Sequence, residues 1–161
     1  MNEVIISLDQ GSSSSRALAV DSRGKVVKRE QSPVKLFYPQ PGWVEHDPKE
    51  IIESTEAVLD RVLARLPASV SVLGLGIASQ RSTIVLWDRK TALPVCFAPS
   101  WMDGRAQGLL SQWESCQKDI HERTGLHLSP FYSAPKIRFL LEHERKARVL
   151  ADQGRLCVGP V

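Results

Sequence analysis

The sequence predicts an α/β fold in which a three-strand meander is followed by alternating helices and strands. Three observations predict it. Apolar segments near residues 3–9, 15–21 and 25–33 are divided by short polar turns. An apolar pattern of helical spacing starts directly after Asp47. A near-continuous apolar run then extends from Val70 to Ala78, the composition of a central strand buried on both faces.

Val4-Ile5-Ile6-Ser7-Leu8 is the body of the first strand and Ala17-Leu18-Ala19-Val20-Asp21 that of the second. Ser22-Arg23-Gly24 turns the chain into the third strand. From Leu36 to Pro48 the chain is an irregular crossing broken by prolines and Gly42. Asp47 is a strong N-cap, and Pro48 at the first helical position has the fixed φ that a helix start needs. Ile51, Ile52, Thr55, Val58, Leu59, Val62, Leu63 and Leu66 are expected to give that helix its buried face, and Pro67 closes it. After Val70–Ala78, strands are expected at Thr83–Asp88, Val95–Trp101 and Leu156–Val158. Helices are expected over 103–116, 116–123 and 135–149.

The link between the first two strands carries chemistry. Asp9-Gln10-Gly11-Ser12-Ser13-Ser14-Ser15-Arg16 packs an acid, a glycine, four hydroxyls and an arginine into eight positions. Gly11 lacks a Cβ, so backbone N–H groups can approach a bulky anion there. The hydroxyls add donors, and Asp9 at the strand end can hold a hydrated divalent cation. The same composition also suits a plain polar hairpin. Spacing alone leaves both readings open.

Composition narrows the class. Charged residues make up 24% of the 161, with 21 basic against 18 acidic and no basic stripe, which gives no reason to expect nucleic acid or membrane as a partner. Cys96, Cys116 and Cys157 form no metal-ligand pattern and read as reduced, mostly buried thiols of a cytoplasmic protein. His121, His127 and His143 also lack ligand spacing. Asp9 interrupts the first apolar run too early for a signal peptide. No apolar stretch approaches the roughly 20 residues of a membrane span. Homo-oligomerisation is left open.

The opening loop resembles the first phosphate loop of the FGGY carbohydrate kinases, in the superfamily that also holds actin. Within the family, glycerol kinases are nearest in wording. Further matches follow in the same order along the chain: Pro41-Gly42-Trp43-Val44-Glu45-His46-Asp47-Pro48, Gly76-Ile77-Ala78-Ser79-Gln80-Arg81, Trp87-Asp88-Arg89, Trp101-Met102-Asp103, Arg123-Thr124-Gly125-Leu126 and Tyr132-Ser133-Ala134-Pro135-Lys136-Ile137. One glycine-rich turn would be weak evidence; a collinear series is strong.

The resemblance implies an actin-like, ribonuclease-H-like domain, with residues 1–161 forming the N-terminal part of the first of two such domains. The second, carrying the adenosine site and an aspartate that acts as base, is expected beyond Val161. The 161 residues alone are therefore expected to be inactive. The implied reaction transfers the γ-phosphate of ATP to a hydroxyl of a sugar or polyol, with Mg²⁺ as cofactor. Such transfer depends on positioning and charge neutralisation. Asp9 would organise Mg²⁺ through water, Gly11, Ser12, Ser13 and Ser14 would donate to the phosphates, and Arg16 would neutralise charge.

The implied acceptor site lies at Gln80-Arg81-Ser82, where a strand ends, with Trp101 as apolar wall and Asp103, Phe131 and Tyr132 alongside. Carboxyl ends of strands are the usual ligand edge of open α/β sheets. An arginine there can donate two hydrogen bonds to neighbouring hydroxyls. This chain departs from the glycerol kinases in having Ser82 for a glutamate and Phe131 for a tyrosine. Gly104 stands where the family often has arginine. Asp103 suits a helix cap better than a substrate contact. Trp43, His46 and Lys136 read as structural.

Two other classes remain in view. A catalytically inactive sugar- or phosphate-binding or regulatory module would keep the fold and lose the chemistry, and Ser82 and Phe131 keep that reading open. A ribonuclease-H-like nuclease would need several clustered carboxylates for two metals, and the sequence shows no obvious partners for Asp9.

Overall fold

The computed structural model describes residues 3–161, which divide into two compact units. The first holds the chain up to Leu36 together with His46–Gln80; the second holds Phe37–Glu45 and Arg81–Val161.

The meander of the first unit is β1 (Glu3–Gln10), β2 (Ser14–Asp21) and β3 (Val26–Pro33), joined antiparallel as predicted. Alternation sets its register. Val4, Ile6 and Leu8 of β1 and Ala17 and Ala19 of β2 point to one buried face. After the crossing, which includes the two-residue β4 (Glu45–His46), α1 (Pro48–Ala64) covers that face with Val58 and Val62, whereas Ile52 and Leu63, expected on the buried side, are exposed because they lie on the flank turned from the sheet. Full burial of aliphatic side chains of this kind contributes about 1.5–3 kcal/mol each. Asp47 accepts from the Lys49 N–H at 2.9 Å as the predicted cap. The helix stops at Ala64, ahead of Pro67.

β5 (Ser71–Ala78) joins β1 in parallel, giving the sheet order β3-β2-β1-β5. Here the structure corrects the sequence reading. β5 lies at the end of the sheet, and every one of its residues is exposed. An apolar run records what a strand is able to bury, whereas burial itself requires a covering layer. Among the described residues, α1 provides that layer over the meander only.

In the second unit, β6 (Ile84–Asp88) pairs antiparallel with β8 (Leu156–Pro160), Leu86 facing Val158. The expected strand over 95–101 shrinks to the two-residue β7 (Ala98–Pro99). The helix expected over 103–116 is a 3₁₀ segment, Arg105–Cys116. It leads into α2 (Gln117–Thr124), which ends on Gly125 at φ 71°, the left-handed C-cap that glycine accepts without penalty. The single helix expected over 135–149 is two: α3 (Ser133–His143) and α4 (Arg145–Asp152). Glu144 breaks them in an extended conformation (φ −95°, ψ 99°). Neither glycine nor proline marks that break; it allows Leu140 and Ala147 to enter one cluster with Ile84 and Leu86.

Cys96 and Cys157 are half-buried, but Cys116 is exposed, contrary to the expectation of mostly buried thiols. Burial pushes the Cys96 thiol up to about 12. Among the described residues, no helix is long and apolar enough to cross a membrane.

Candidate functional site

In the first unit, the β1–β2 connection brings the predicted loop residues together. Register places Asp9 opposite Arg16, and Arg16 Nη1 donates to Asp9 Oδ2 at 3.2 Å with both side chains half-exposed. The Gly11 N–H closes the loop onto the Ser14 carbonyl at 3.0 Å. A Cβ on Gly11 would sit 3.1 Å from that carbonyl oxygen, so the turn favours glycine. Ser12 and Ser13 form the bend between the strands. Ser13 is tied to the residue after β3 through its carbonyl, which accepts from the Val34 N–H at 3.0 Å.

Ser14 is buried, and its hydroxyl has no hydrogen-bond partner among the described residues; neither has Arg16 Nε. Leaving a buried donor unmade costs about 1–3 kcal/mol. Two such donors in one loop are available to an acceptor from outside the chain; His46 Nε2 is the third buried side-chain atom without a partner among the described residues. Ser15, the next residue, is satisfied differently: its hydroxyl bonds Ser54 Oγ at 2.8 Å and Thr55 Oγ1 at 3.2 Å on α1.

Gln80, grouped by sequence with the acceptor residues, is bonded to this loop. Its Nε2 donates to Gln10 Oε1 at 3.0 Å and to the Gly11 carbonyl at 3.1 Å. Gln10 Nε2 also donates to the Gly11 carbonyl at 2.9 Å. Gln10 carried no assignment in the sequence reading, and the parallel pairing of β1 with β5 is what explains it. That pairing is long-range, so no local signal reveals it. His46 is fully buried with Nδ1 2.9 Å from the Lys35 carbonyl. Burial pushes its pKa down, keeping the ring neutral and in the structural role the sequence suggested.

The Mg²⁺ expectation has one carboxylate at the loop, Asp9. No cluster of three or more metal-ligating side chains occurs among the described residues. Mg²⁺ commonly keeps its waters and takes one or two carboxylates plus substrate phosphates, so a single half-exposed Asp9 fits that mode.

In the second unit, Arg81 is exposed and Ser82 sits at φ 63°, a left-handed conformation uncommon for residues other than glycine. The Ser82 carbonyl accepts from Lys136 Nζ, which also donates to the Ser100 carbonyl at 2.7 Å. The Trp101 N–H donates to Thr83 Oγ1 at 3.0 Å, while the indole remains 46% exposed. Phe131 is 48% exposed beside Gly104, and Tyr132 stands exposed at the start of α3. These aromatic surfaces can line an apolar contact.

Asp103 differs from the rest. It is fully buried, and both carboxylate oxygens are engaged. Oδ1 accepts from Arg105 Nε at 2.8 Å and from the Arg105 N–H at 3.0 Å. Oδ2 accepts from Arg105 Nη2 at 2.9 Å and from the Val44 N–H at 2.6 Å. Arg105 also reaches Glu45 at 2.6 Å and lies 3.9 Å over the Trp43 ring. Burial works against the Arg105 charge, but Asp103 and Glu45 outweigh it and raise its pKa. The geometry makes Asp103 a structural tie rather than a substrate contact. The N-cap of the 3₁₀ segment is Gly104 and carries no side-chain cap bond, so the cap that the sequence favoured for Asp103 is replaced by its tie to Arg105 and Val44.

The chain matches the family model of the N-terminal domain of the FGGY carbohydrate kinases over residues 4–156. It is 38% identical over its whole length to a glycerol kinase of Rhizorhabdus wittichii, and 42% identical over 98% of its length to one of Paracidovorax citrulli. It spans 32% of each of those relatives. Among solved structures, Plasmodium falciparum glycerol kinase with ADP superposes at TM-score 0.90 with 30% identity, over 98% of this chain and 32% of that one. A xylulose kinase of Rhodospirillum rubrum superposes at 0.82 with 25% identity, over 88% of this chain and 29% of that one. Motifs, fold and matches along almost the whole length agree: the chain belongs to the FGGY family of carbohydrate kinases.

Proposed function

We propose that the protein is an ATP-dependent phosphotransferase that acts on a hydroxyl of a sugar or polyol, to which these residues contribute the phosphate-binding and acceptor-binding parts. The observation that carries this reading is the pair of unpartnered donors, Ser14 Oγ and Arg16 Nε, in a loop closed around Gly11. A solved relative contains ADP, in keeping with a nucleotide at this fold.

ATP would supply the phosphoryl group, and a bound Mg²⁺ would offset its charge. Gly11 allows close backbone approach, Ser12 and Ser13 form the bend, and Ser14 donates a hydroxyl. Arg16 presents positive charge where negative charge gathers in the transition state. Asp9 would hold a hydrated Mg²⁺ through water. Gln80 and Gln10 brace the loop. On the acceptor side, Arg81 donates to substrate hydroxyls, Ser82 shapes the space beside it, and Trp101, Phe131 and Tyr132 provide apolar surface. The proton acceptor is assigned to the second domain that the family resemblance implies.

A phosphorylation screen of the intact protein against glycerol, pentitols, ketopentoses and hexoses tests the reading. Phosphorylation of at least one, lost on Asp9→Ala, is expected; no ATP-dependent product with any of them overturns it. Glycerol is not expected to rank first by kcat/KM. Ser82 cannot make the charge-assisted bonds a glutamate would make there, and these contribute about 1.5–3 kcal/mol each.

A further inference from the structure

We propose that Lys136 is a positioning residue for acceptor binding: its side chain cross-ties the carbonyls of Ser82 and Ser100 and so fixes the two segments that present Arg81-Ser82 and Trp101. The inference rests on the functional reading above and assigns a task to a side chain that the sequence treats as structural.

Lys136 is among the largest fully buried side chains of the protein. It projects from the first turn of α3. Its amine donates to two carbonyls from separate parts of the chain, Ser82 before β6 and Ser100 after β7. Both lie next to predicted acceptor residues: Ser82 follows Arg81, and Ser100 precedes Trp101. A second tie runs parallel to it, since the Trp101 N–H bonds Thr83 Oγ1. The Ser100 N–H is in turn held by the Val44 carbonyl at 2.8 Å.

Energetics argue that the tie has a purpose. A buried ammonium is costly unless paired, and both of these partners are neutral carbonyls. Asp103 favours its charge from nearby and Arg105 opposes it, while burial dominates and lowers the amine to about 8. An apolar side chain of similar length would fill the volume without that cost, but it could hold neither carbonyl. What the amine adds is geometry. It keeps Ser82 in its left-handed conformation at φ 63°, a strained backbone state that persists only where surrounding contacts enforce it. Ser82 and Trp101 then stand in a fixed relation before substrate arrives, the preorganisation that specific binding requires.

Lys136→Met in the intact protein is the test. The KM for the acceptor is expected to rise about tenfold or more, with the KM for Mg·ATP changed by less than about threefold. Unchanged acceptor KM, or an equal loss toward both substrates, overturns the proposal. If the wild-type protein phosphorylates nothing, the functional reading fails and with it the acceptor role. Hydrogen exchange on the 161-residue chain then judges the cross-tie by itself. Lys136→Met should speed exchange at the Trp101 amide about tenfold and leave the β6–β8 amides of Val85 and Cys157 unchanged. Unaltered exchange at Trp101 sinks the cross-tie as well. Should Lys136→Met not fold, Lys136→Gln, which retains a donor, is read by the same two measurements.

Discussion

In the first unit, Ser14 Oγ and Arg16 Nε are buried at the proposed phosphate loop without partners among the described residues. In the second, Asp103, Arg105 and Lys136 are buried just as deeply, yet each is bonded within the protein. The difference separates two ways of making a site. The loop keeps donors unspent for a ligand, and its bracing comes from Gln10 and Gln80 behind it. The proposed acceptor side commits its buried charges to one another and to its own backbone, and what it leaves exposed is aromatic surface and Arg81. Substitution in the first unit should therefore damage function more than stability, and in the second the reverse.

The largest effect is expected at Arg105. Arg105→Ala leaves Asp103 buried without its cation, and removing one partner of a buried pair costs about 3–5 kcal/mol. Urea unfolding of the 161-residue chain checks this; a loss under about 1 kcal/mol would erase the contrast between the units. Next comes Asp9→Asn, which should reduce turnover of Mg·ATP by the intact protein about 10²-fold, the scale of losing one preorganised electrostatic contact. Its urea midpoint should stay near wild type, because the Asp9–Arg16 pair is half-exposed and such pairs contribute only about 0–1 kcal/mol.

Ser14→Ala gives the sharpest comparison. It removes a buried hydroxyl that makes no bond, so stability should hold or rise by up to about 1 kcal/mol while use of Mg·ATP weakens about tenfold. Stability lost together with function would show that the hydroxyl is already satisfied.

The smallest effects are those of pH, and they too divide by unit. His46 has its pKa lowered by burial, so the unfolded chain binds the extra proton and stability falls as pH drops through 6.5. Lys136 is also lowered by burial, from 10.5 to about 8. Between those values the unfolded chain again carries more protons, and stability rises with pH. Thermal melts at low and high pH should show both trends, and Lys136→Met should abolish only the alkaline one.

Local chemistry made much of this legible. Asp47-Pro48 announced the start of α1, and the Asp9-to-Arg16 composition announced the loop. What escaped the sequence depends on distant partners. Nothing near Gln80 says that it braces Gln10, and nothing near Glu144 says that a helix breaks there. β5 misled for the opposite reason: its residues state a capacity for burial that the described residues do not fill. Asp103 was ambiguous until Arg105 and Val44 were seen on both of its oxygens.

The position of β1 also has a consequence for synthesis. On one side β1 pairs with β2, which leaves the ribosome directly after it; on the other it pairs with β5, translated only once α1 is complete. Nearby pairings form at lower entropic cost than distant ones. The meander can thus assemble on the nascent chain while the outer side of β1 waits, its N–H and C=O groups open to mispairing with another chain. In refolding followed by pulse-labelled hydrogen exchange, amides shared by β2 and β3 should gain protection before those of β5. Protection of β5 first would show that the parallel pair, not the meander, starts the fold.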